Sequence, residues 1–128
     1  MTKSKYLSKD DILAAEDRET GEVEVPEWGG VVRVMAPTSW EMSEYQATQV
    51  SMRTDAKGKT QTSIDLTGSD ARLAAMCIVD EAGERMFSEK EVRKLGTKSA
   101  KALDRVVAAI REMDGMGEAL EVLEGNSE

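Results

Sequence analysis

The sequence predicts an α+β fold, in the form of a mostly helical single domain with one antiparallel β-hairpin near the N-terminus. Several segments place apolar residues at helical spacing behind capping residues, and residues 22–36 alternate apolar and polar side chains. A length of 128 residues suits one domain of ordinary size. We therefore expect a helical domain over residues 1–113 and an acidic, flexible tail over residues 114–128.

The first helix is expected to follow Ser8. This serine resembles an N-cap, and Asp11 follows it at the spacing of a capping box. Ile12 and Leu13 are the only large apolar residues of the segment, so we expect them to anchor the helix. Gly21 is the residue expected to end it.

The hairpin at residues 22–36 carries the strongest strand signal. Val23 and Val25 alternate with glutamates in the first half, and Val32 and Val34 alternate with other residues in the second. Proline and two glycines supply the turn between them. Because a lone hairpin is marginal in water and has two open edges, we expect it to pack on helices or to pair with another chain.

Four side chains in and beside the hairpin have specific expected positions. Glu24 and Arg33 are expected to pair across the strands on the exposed side. Trp28 lies in the turn, where it either packs on the core or contacts a partner, and both interpretations stay open. Trp40 lies in the first turn of the next helix and is expected in the core.

A second helix is predicted over residues 39–53, opened by a capping box between Thr38 and Glu41. Its interrupted stripe consists of Met42, Tyr45, Gln49 and Met52. Residues 54–63 are polar, contain glycine and show no helical spacing, so they are predicted to form a flexible loop.

Three further segments are predicted to be helical. The stretch from Leu73 to Val79 is apolar on nearly all sides, which indicates a buried central helix. Ser88 and Glu91 open a short helix that ends at Gly96. The last helix covers residues 97–113, and its apolar stripe consists of Leu103, Val106, Val107, Ile110 and Met113.

The residue types argue against a catalytic, cofactor or metal site. The chain contains no histidine, which is the commonest general base and metal ligand. Cys77 lies within the apolar helix and is predicted to be a small buried hydrophobic residue rather than a nucleophile. The acidic pairs have structural explanations. Asp10–Asp11 and Glu89–Glu91 lie at helix starts, where an acid offsets the helix dipole, and Asp80–Glu81 lies beside a turn.

The charge balance limits the classes of partner. Seventeen basic and 25 acidic residues give a net charge of −8, which disfavours nucleic acid and anionic membrane surfaces. The first residues lack the apolar run of a secretory signal, and no stretch approaches the roughly 20 apolar residues of a membrane span. A single cysteine fits a reducing compartment. We expect a cytosolic protein.

Three segments together resemble a known family. They are "YLSKDDILAAED", "EVEVPEWGGVVRV" and "LAAMCIVDEAGERMFSEKEVRKLGTKSAKALDRVVAAI". Over residues 5–113 the chain resembles the small tail assembly chaperones of long-tailed bacteriophages. The resemblance implies a non-enzymatic protein of the host cytoplasm, not expected in the mature virion, that binds the tape measure protein during tail assembly. It also implies self-association, the tail tube protein as a further partner, and in many members a longer form made by a programmed frameshift.

Exposed apolar side chains are the expected means of partner binding, because aromatic residues are enriched at hot spots and methionine repacks around different partners. The candidates are Trp28, Val31, Met35, Met42, Met52, Met113 and Met116. The competing interpretation is that Met42, Met52 and Met113 complete the core.

The acidic end of the chain supports an alternative function. From Glu112 to Glu128 there are six acidic residues and no basic residue. Such a segment would suit a small acidic adaptor or inhibitor that binds a basic partner protein by nucleic-acid mimicry. In the chaperone interpretation the same acids keep complexes soluble by repulsion.

Overall fold

The computed structural model describes residues 6–113, so the tail predicted at residues 114–128, including Met116, lies outside the described residues. The α-helices are α1 (Lys9–Ala14), α2 (Ser39–Thr48), α3 (Ser69–Cys77), α4 (Val92–Leu95) and α5 (Ala100–Met113). The strands are β1 (Thr20–Val25), β2 (Gly30–Met35), β3 (Val50–Thr54), β4 (Thr60–Ile64) and β5 (Ile78–Val79). The predicted α+β class with an antiparallel hairpin near the N-terminus is confirmed.

The predicted N-terminal hairpin forms as β1 and β2, which join β5 in a three-stranded antiparallel sheet of order β1-β2-β5. A short 3₁₀ segment, Pro26–Trp28, and Gly29 make the turn, and the φ of 75° at Gly29 favours a residue without a Cβ. The hairpin packs on α5, which confirms the expectation that it packs on helices, and β5 covers one of its two edges.

The register of the hairpin differs from the expected pairing of Glu24 with Arg33. Arg33 lies opposite Glu22, and Glu24 lies opposite Val31. The turn is centred one residue earlier in the chain than the expected pairing requires, because the 3₁₀ segment begins at Pro26. The guanidinium of Arg33 instead donates to the carbonyl oxygen of Glu81 at 3.4 Å.

The core lies between the sheet and the helices α3 and α5. α5 packs on β1, β2 and α3, and it buries the predicted stripe of Leu103, Val106, Val107 and Ile110, with Met113 partly buried. Val25 and Val34 contribute the inner face of the sheet. The apolar stretch from Leu73 to Val79 is almost entirely buried as predicted, although the helix ends at Cys77 and the next two residues form β5.

The segment after α2 is the largest difference from the sequence expectation. α2 ends at Thr48 rather than at residue 53, and β3 and β4 pair as a second antiparallel hairpin. The loop predicted at residues 54–63 is therefore wrong. Turn chemistry explains the hairpin, because Asp55 accepts hydrogen bonds from the N–H groups of Lys57 and Lys59, and Gly58 adopts a φ of 78°.

The first helix has the predicted capping box, but its apolar residues do not pack on the core as expected. Ser8 and Asp11 form the predicted capping box, with the Asp11 N–H donating to the serine hydroxyl at 3.1 Å. No residue of α1 is buried, so Ile12 and Leu13 do not anchor the helix to the core. Gly21 lies within β1, and the helix ends well before it, at Ala14.

Two further predicted helix starts are confirmed, whereas the last helix begins at Ala100 rather than at residue 97. Thr38 forms a capping box with Glu41, and Ser88 forms one with Glu91 before α4. Trp40, however, is 77% exposed, so its expected place in the core is wrong. It lies on the outer side of the first turn of α2, where its indole N–H donates to Glu44 at 2.6 Å.

Candidate partner-binding surface

The structure separates the predicted partner-binding residues into two groups. Trp28, Met42 and Met113 are partly buried and pack against the core, and Met35 is also partly buried. For Met42 and Met113 this matches the competing interpretation that they complete the core. The aromatic side chain in the hairpin turn is folded back onto the body of the protein.

Val31 and Met52 are the predicted residues that face solvent, with exposed fractions of 59% and 71%. They lie on different hairpins, Val31 on β2 and Met52 on β3. Nothing in the structure joins the predicted residues into one continuous patch, and Met116 lies outside the described residues. Partner binding by these side chains stays a prediction.

The β3–β4 hairpin presents an exposed apolar surface, which we call the hairpin face and define as Val50, Met52 and Ile64. Val50 lies opposite Ile64, and Met52 lies opposite Thr62, so all of these side chains share one side of the hairpin. Every residue of both strands is exposed, and Ile64 is 73% exposed. None of these three side chains is buried against the rest of residues 6–113.

The tip of this hairpin is basic. Residues 53–59 contain three basic side chains, those of Arg53, Lys57 and Lys59, and one acidic side chain, that of Asp55. The Asp55 carboxylate accepts hydrogen bonds from the N–H groups of Lys57 and Lys59, and two backbone hydrogen bonds, from the N–H of Asp55 to the Lys59 carbonyl and from the N–H of Gly58 to the Asp55 carbonyl, also close the turn. The tip is thus a local positive region on a chain with a net charge of −8.

A second exposed surface of opposite charge lies at the start of the described chain. We call it the N-terminal segment and define it as residues 7–17. Leu7, Ile12 and Leu13 are all exposed, and Leu13 is 73% exposed. The segment contains four acidic residues and one basic residue. Arg18 fixes its end, because the guanidinium donates to the Ala36 carbonyl oxygen at 3.0 Å.

A groove lies between α2, α3 and α4, with a volume of ≈ 740 Å³. Its apolar lining includes Tyr45, Ala75, Met76, Phe87 and Val92. The hydroxyl of Tyr45 is buried and has no hydrogen-bond partner among residues 6–113. No local sequence pattern indicates this groove, because elements distant in the chain assemble it.

The acidic pairs considered as catalytic candidates have structural roles where the structure resolves their hydrogen bonds. Hydrogen bonds from Ser8 lower the pKa of Asp11, with the larger effect from its backbone N–H and the smaller from its hydroxyl. The backbone N–H and the hydroxyl of Ser88 lower the pKa of Glu91 in the same way. Asp80 accepts from the N–H groups of Ala82 and Glu84 in a turn. Among residues 6–113 no group of three or more cysteine and acidic side chains has the arrangement of a metal site.

Cys77 is fully buried at the end of α3, which confirms its predicted structural position. An exposed, electropositive setting is typical of reactive cysteines, and this site offers no solvent access. None of the described helices has the length and apolar character needed to cross a membrane.

Comparison with known proteins assigns the chain to a family. Among solved structures it is similar to the tail assembly chaperone of bacteriophage HK97, with a TM-score of 0.55 and 16% identity, over 81% of this chain and 90% of that chain. That similarity supports the fold. No curated protein sequence matches significantly. The family model described as phage tail assembly chaperone matches residues 11–121, which is most of the sequence. The chain belongs to the phage tail assembly chaperone family.

Proposed function

We propose that this chain binds the tape measure protein and keeps it soluble while the phage tail is built, without catalysing a reaction. It acts in the host cytoplasm and is not retained in the mature virion. Family membership supports a role in tail assembly. The resemblance noted from the sequence supports the choice of client, since small chaperones of this family hold the tape measure protein.

The groove between α2, α3 and α4 is the observation that carries the proposed mode of binding. A tape measure protein is mostly long helix with exposed apolar stripes, and an apolar helix face can lie in a groove of this kind. The groove is open and lined by the half-buried side chains of Met76, Phe87 and Val92. These can be covered by a client without unfolding the domain, because the fully buried core lies beneath them.

Adaptable side chains suit a client that offers many similar but unequal stretches of helix. Met76 lines the groove, and methionine repacks around different partners because its side chain is unbranched and polarisable. Each copy of the chain needs only modest affinity for the stretch of client helix that it binds. Several copies on one long client then give a stable complex through multivalency.

Solubility of the complex follows from charge. The net charge of −8 makes copies bound along one client repel other complexes, which opposes aggregation. We also include self-association of the chain and contact with the tail tube protein in the proposal, as the family resemblance implies. Co-purification of the tail tube protein with a tagged chain, absent when an unrelated acidic protein carries the tag, tests that second partner.

The groove is tested by co-expressing a tagged chain with the tape measure protein encoded beside it. Phe87→Ala removes an apolar side chain that lines the groove, whereas Met86→Ala alters the preceding exposed residue outside it. We expect the Phe87 variant to recover several-fold less client than the wild type, and the Met86 variant to recover as much. Far-UV circular dichroism establishes that both variants are folded. Equal recovery by the two variants contradicts the groove as the client site.

A further inference from the structure

We propose that residues 118–124, which we call the tail segment, occupy the groove between α2, α3 and α4 of their own chain and leave it when a client helix binds. The proposal commits the client-free groove to one occupant, a segment that lies outside the described residues. Its second half rests on the proposed function, because it adds a regulation of the site that we assign to the tape measure protein.

The groove has arginine side chains that no acidic side chain of residues 6–113 neutralises. Arg72 on α3 and Arg93 on α4 both line it. The arginines that form ion pairs within residues 6–113 are Arg18, Arg85, Arg105 and Arg111. Arg72 donates to the backbone carbonyl oxygen of Thr67 at 3.2 Å. The two lining arginines therefore offer cationic groups to an acidic ligand that enters the groove.

The acidic side chains near the groove do not cancel this charge. Residues 89–98, which form one wall, contain four basic and two acidic residues. One of these acids, Glu91, accepts from the N–H and the hydroxyl of Ser88 in the cap before α4. On the opposite wall, Glu44 accepts from the indole N–H of Trp40. An acidic segment is thus a better match for the groove than a basic one.

The end of the chain supplies the two chemical features that the groove accepts. Residues 114–128 contain five acidic residues and no basic residue. The tail segment reads EALEVLE, so three glutamates alternate with apolar residues that include Leu120 and Leu123. The leucines match the apolar lining beside Met76 and Phe87, and the glutamates match the arginines.

The tail segment begins within reach of the groove. Arg111, in the last turn of α5, pairs with Asp70 in the first turn of α3 at 3.5 Å. Gly68, directly before α3, lines the groove at that end. The five peptide steps from Met113 to Glu118 span up to about 17 Å, whereas packed helices lie only about 8–10 Å apart. The segment therefore reaches the groove without rearrangement of the domain.

A tethered segment needs little intrinsic affinity to occupy the groove. A short linker gives an effective concentration on the order of 1 mM, so a segment with a Kd of about 1 mM covers the groove about half of the time. Such a weak contact shields Met76 and Phe87 from unrelated apolar surfaces. A long client helix that engages several copies displaces it, and the covered fraction lowers the apparent affinity for the client.

A spin label on the end of the full-length chain tests the contact without any client. Ser127→Cys in a Cys77→Ala background takes one nitroxide, and the methionine methyl groups carry ¹³C. We expect the nitroxide to broaden the Met76 methyl signal. Leu120→Glu with Leu123→Glu should abolish that broadening, because it removes the apolar part of the contact. Asn126→Glu, a charge added outside the tail segment, is the control and should leave the broadening unchanged.

Two results of this measurement would overturn the proposal. The basic tip and apolar side of the β3–β4 hairpin are the competing site, so broadening of Met52 in place of Met76 assigns the tail segment to the hairpin face. A mixture of ¹³C-labelled chain without nitroxide and nitroxide-labelled chain without ¹³C should show no broadening. Broadening in the mixture equal to that within one chain shows that the contact joins different copies.

Charge reversal tests the role of the two arginines. Arg72→Glu with Arg93→Glu should abolish the broadening of Met76, because attractive pairs become repulsive ones. Lysine at positions 118, 121 and 124 of the same chain should restore it. Far-UV circular dichroism establishes that each variant is folded. A folded chain with both sets of substitutions in which the broadening does not return overturns the assigned pairing.

Recovery of the tape measure protein separates this proposal from the proposed function. Leu120→Glu with Leu123→Glu should recover several-fold more client than the wild type when the client is limiting, because the groove is no longer covered. A wild type without broadening of Met76 overturns the tail contact even where the client is kept soluble. Broadening with equal client recovery by the two chains overturns the competition. A client that stays insoluble with either chain counts against the chaperone role alone, since the contact is measured without it.

Discussion

The carboxylate of Glu41 and the guanidinium of Arg85 form an ion pair at 2.6 Å, between the first turn of α2 and a segment 44 residues later in the chain. The other carboxylate oxygen accepts from Arg18 at 3.1 Å and from the N–H of Thr38 at 2.9 Å. One side chain thus connects the end of the N-terminal segment, the start of α2 and the turn that follows β5.

Replacing this carboxylate should destabilise the domain. Glu41→Gln keeps the shape of the side chain but removes the charge on which both arginines and the cap depend. We expect the free energy of unfolding at neutral pH to fall by about 1–2 kcal/mol, the usual range for a lost cap and a partly buried charged hydrogen bond. Urea denaturation measures it. Glu44→Gln, on the exposed side of the same helix, should change the value by less than about 0.5 kcal/mol.

Glu41 also determines the direction in which the stability of the domain changes at acidic pH. Partial burial raises the pKa of Glu41, but the hydrogen bonds from Thr38 and Arg85 and the charges of both arginines outweigh it, so the pKa lies below its ordinary value. A lowered folded-state pKa means that the stabilisation is present above the unfolded pKa and is lost as pH falls through the folded one. Glu41→Gln should therefore lose less stability than the wild type on acidification below about pH 4.3. Parallel acid-titration slopes for the two proteins would contradict this.

Tyr45→Phe is expected to be neutral or stabilising. The hydroxyl of Tyr45 is buried without a hydrogen-bond partner among residues 6–113, and an unsatisfied buried polar group costs about 1–3 kcal/mol relative to an apolar one. The ring itself remains, so the packing of α2 is kept. Thermal and urea unfolding measure the change. A loss of more than about 1 kcal/mol would show that the hydroxyl has a partner beyond the described residues.

The thiol of Cys77 should be protected from solvent in the folded protein. The side chain is fully buried at the end of α3, and reaction with a thiol reagent requires access to the thiolate. We expect slow reaction with an aromatic disulfide reagent in buffer and rapid reaction in denaturant. Cys77→Ala should lower the free energy of unfolding by about 1 kcal/mol without reducing client binding. A folded variant that cannot bind the client would assign this residue a direct role that its burial does not suggest.

Local signals explain what the sequence predicted correctly. The caps at Ser8, Thr38 and Ser88 depend on residues three apart, and the stripe of α5 follows helical spacing over its whole length. The alternation in β1 and β2 was readable because their apolar side faces the core.

The sequence did not predict the features that depend on tertiary packing. The β3–β4 hairpin has threonine and serine on much of its surface, and its few apolar residues, including Val50 and Ile64, are exposed rather than buried. The apolar residues lie on one side of the hairpin, but β4 has only Ile64, so the alternation visible in β3 does not continue through both strands. Trp40 was expected in the core from its place in the first turn of α2, but it lies on the side of that turn that faces solvent. The groove beside Phe87 is a product of tertiary packing and has no local pattern.

The central claim is that this chain keeps the tape measure protein soluble. The most direct measurement is the soluble fraction of that protein after expression alone, with the wild-type chain, and with the Phe87→Ala variant, determined by sedimentation of the lysate and quantification of supernatant and pellet. We predict a low soluble fraction alone, a several-fold increase with the wild type, and a smaller increase with the variant. A tape measure protein that remains equally insoluble with and without the wild-type chain, or its longer frameshifted form, contradicts the chaperone function.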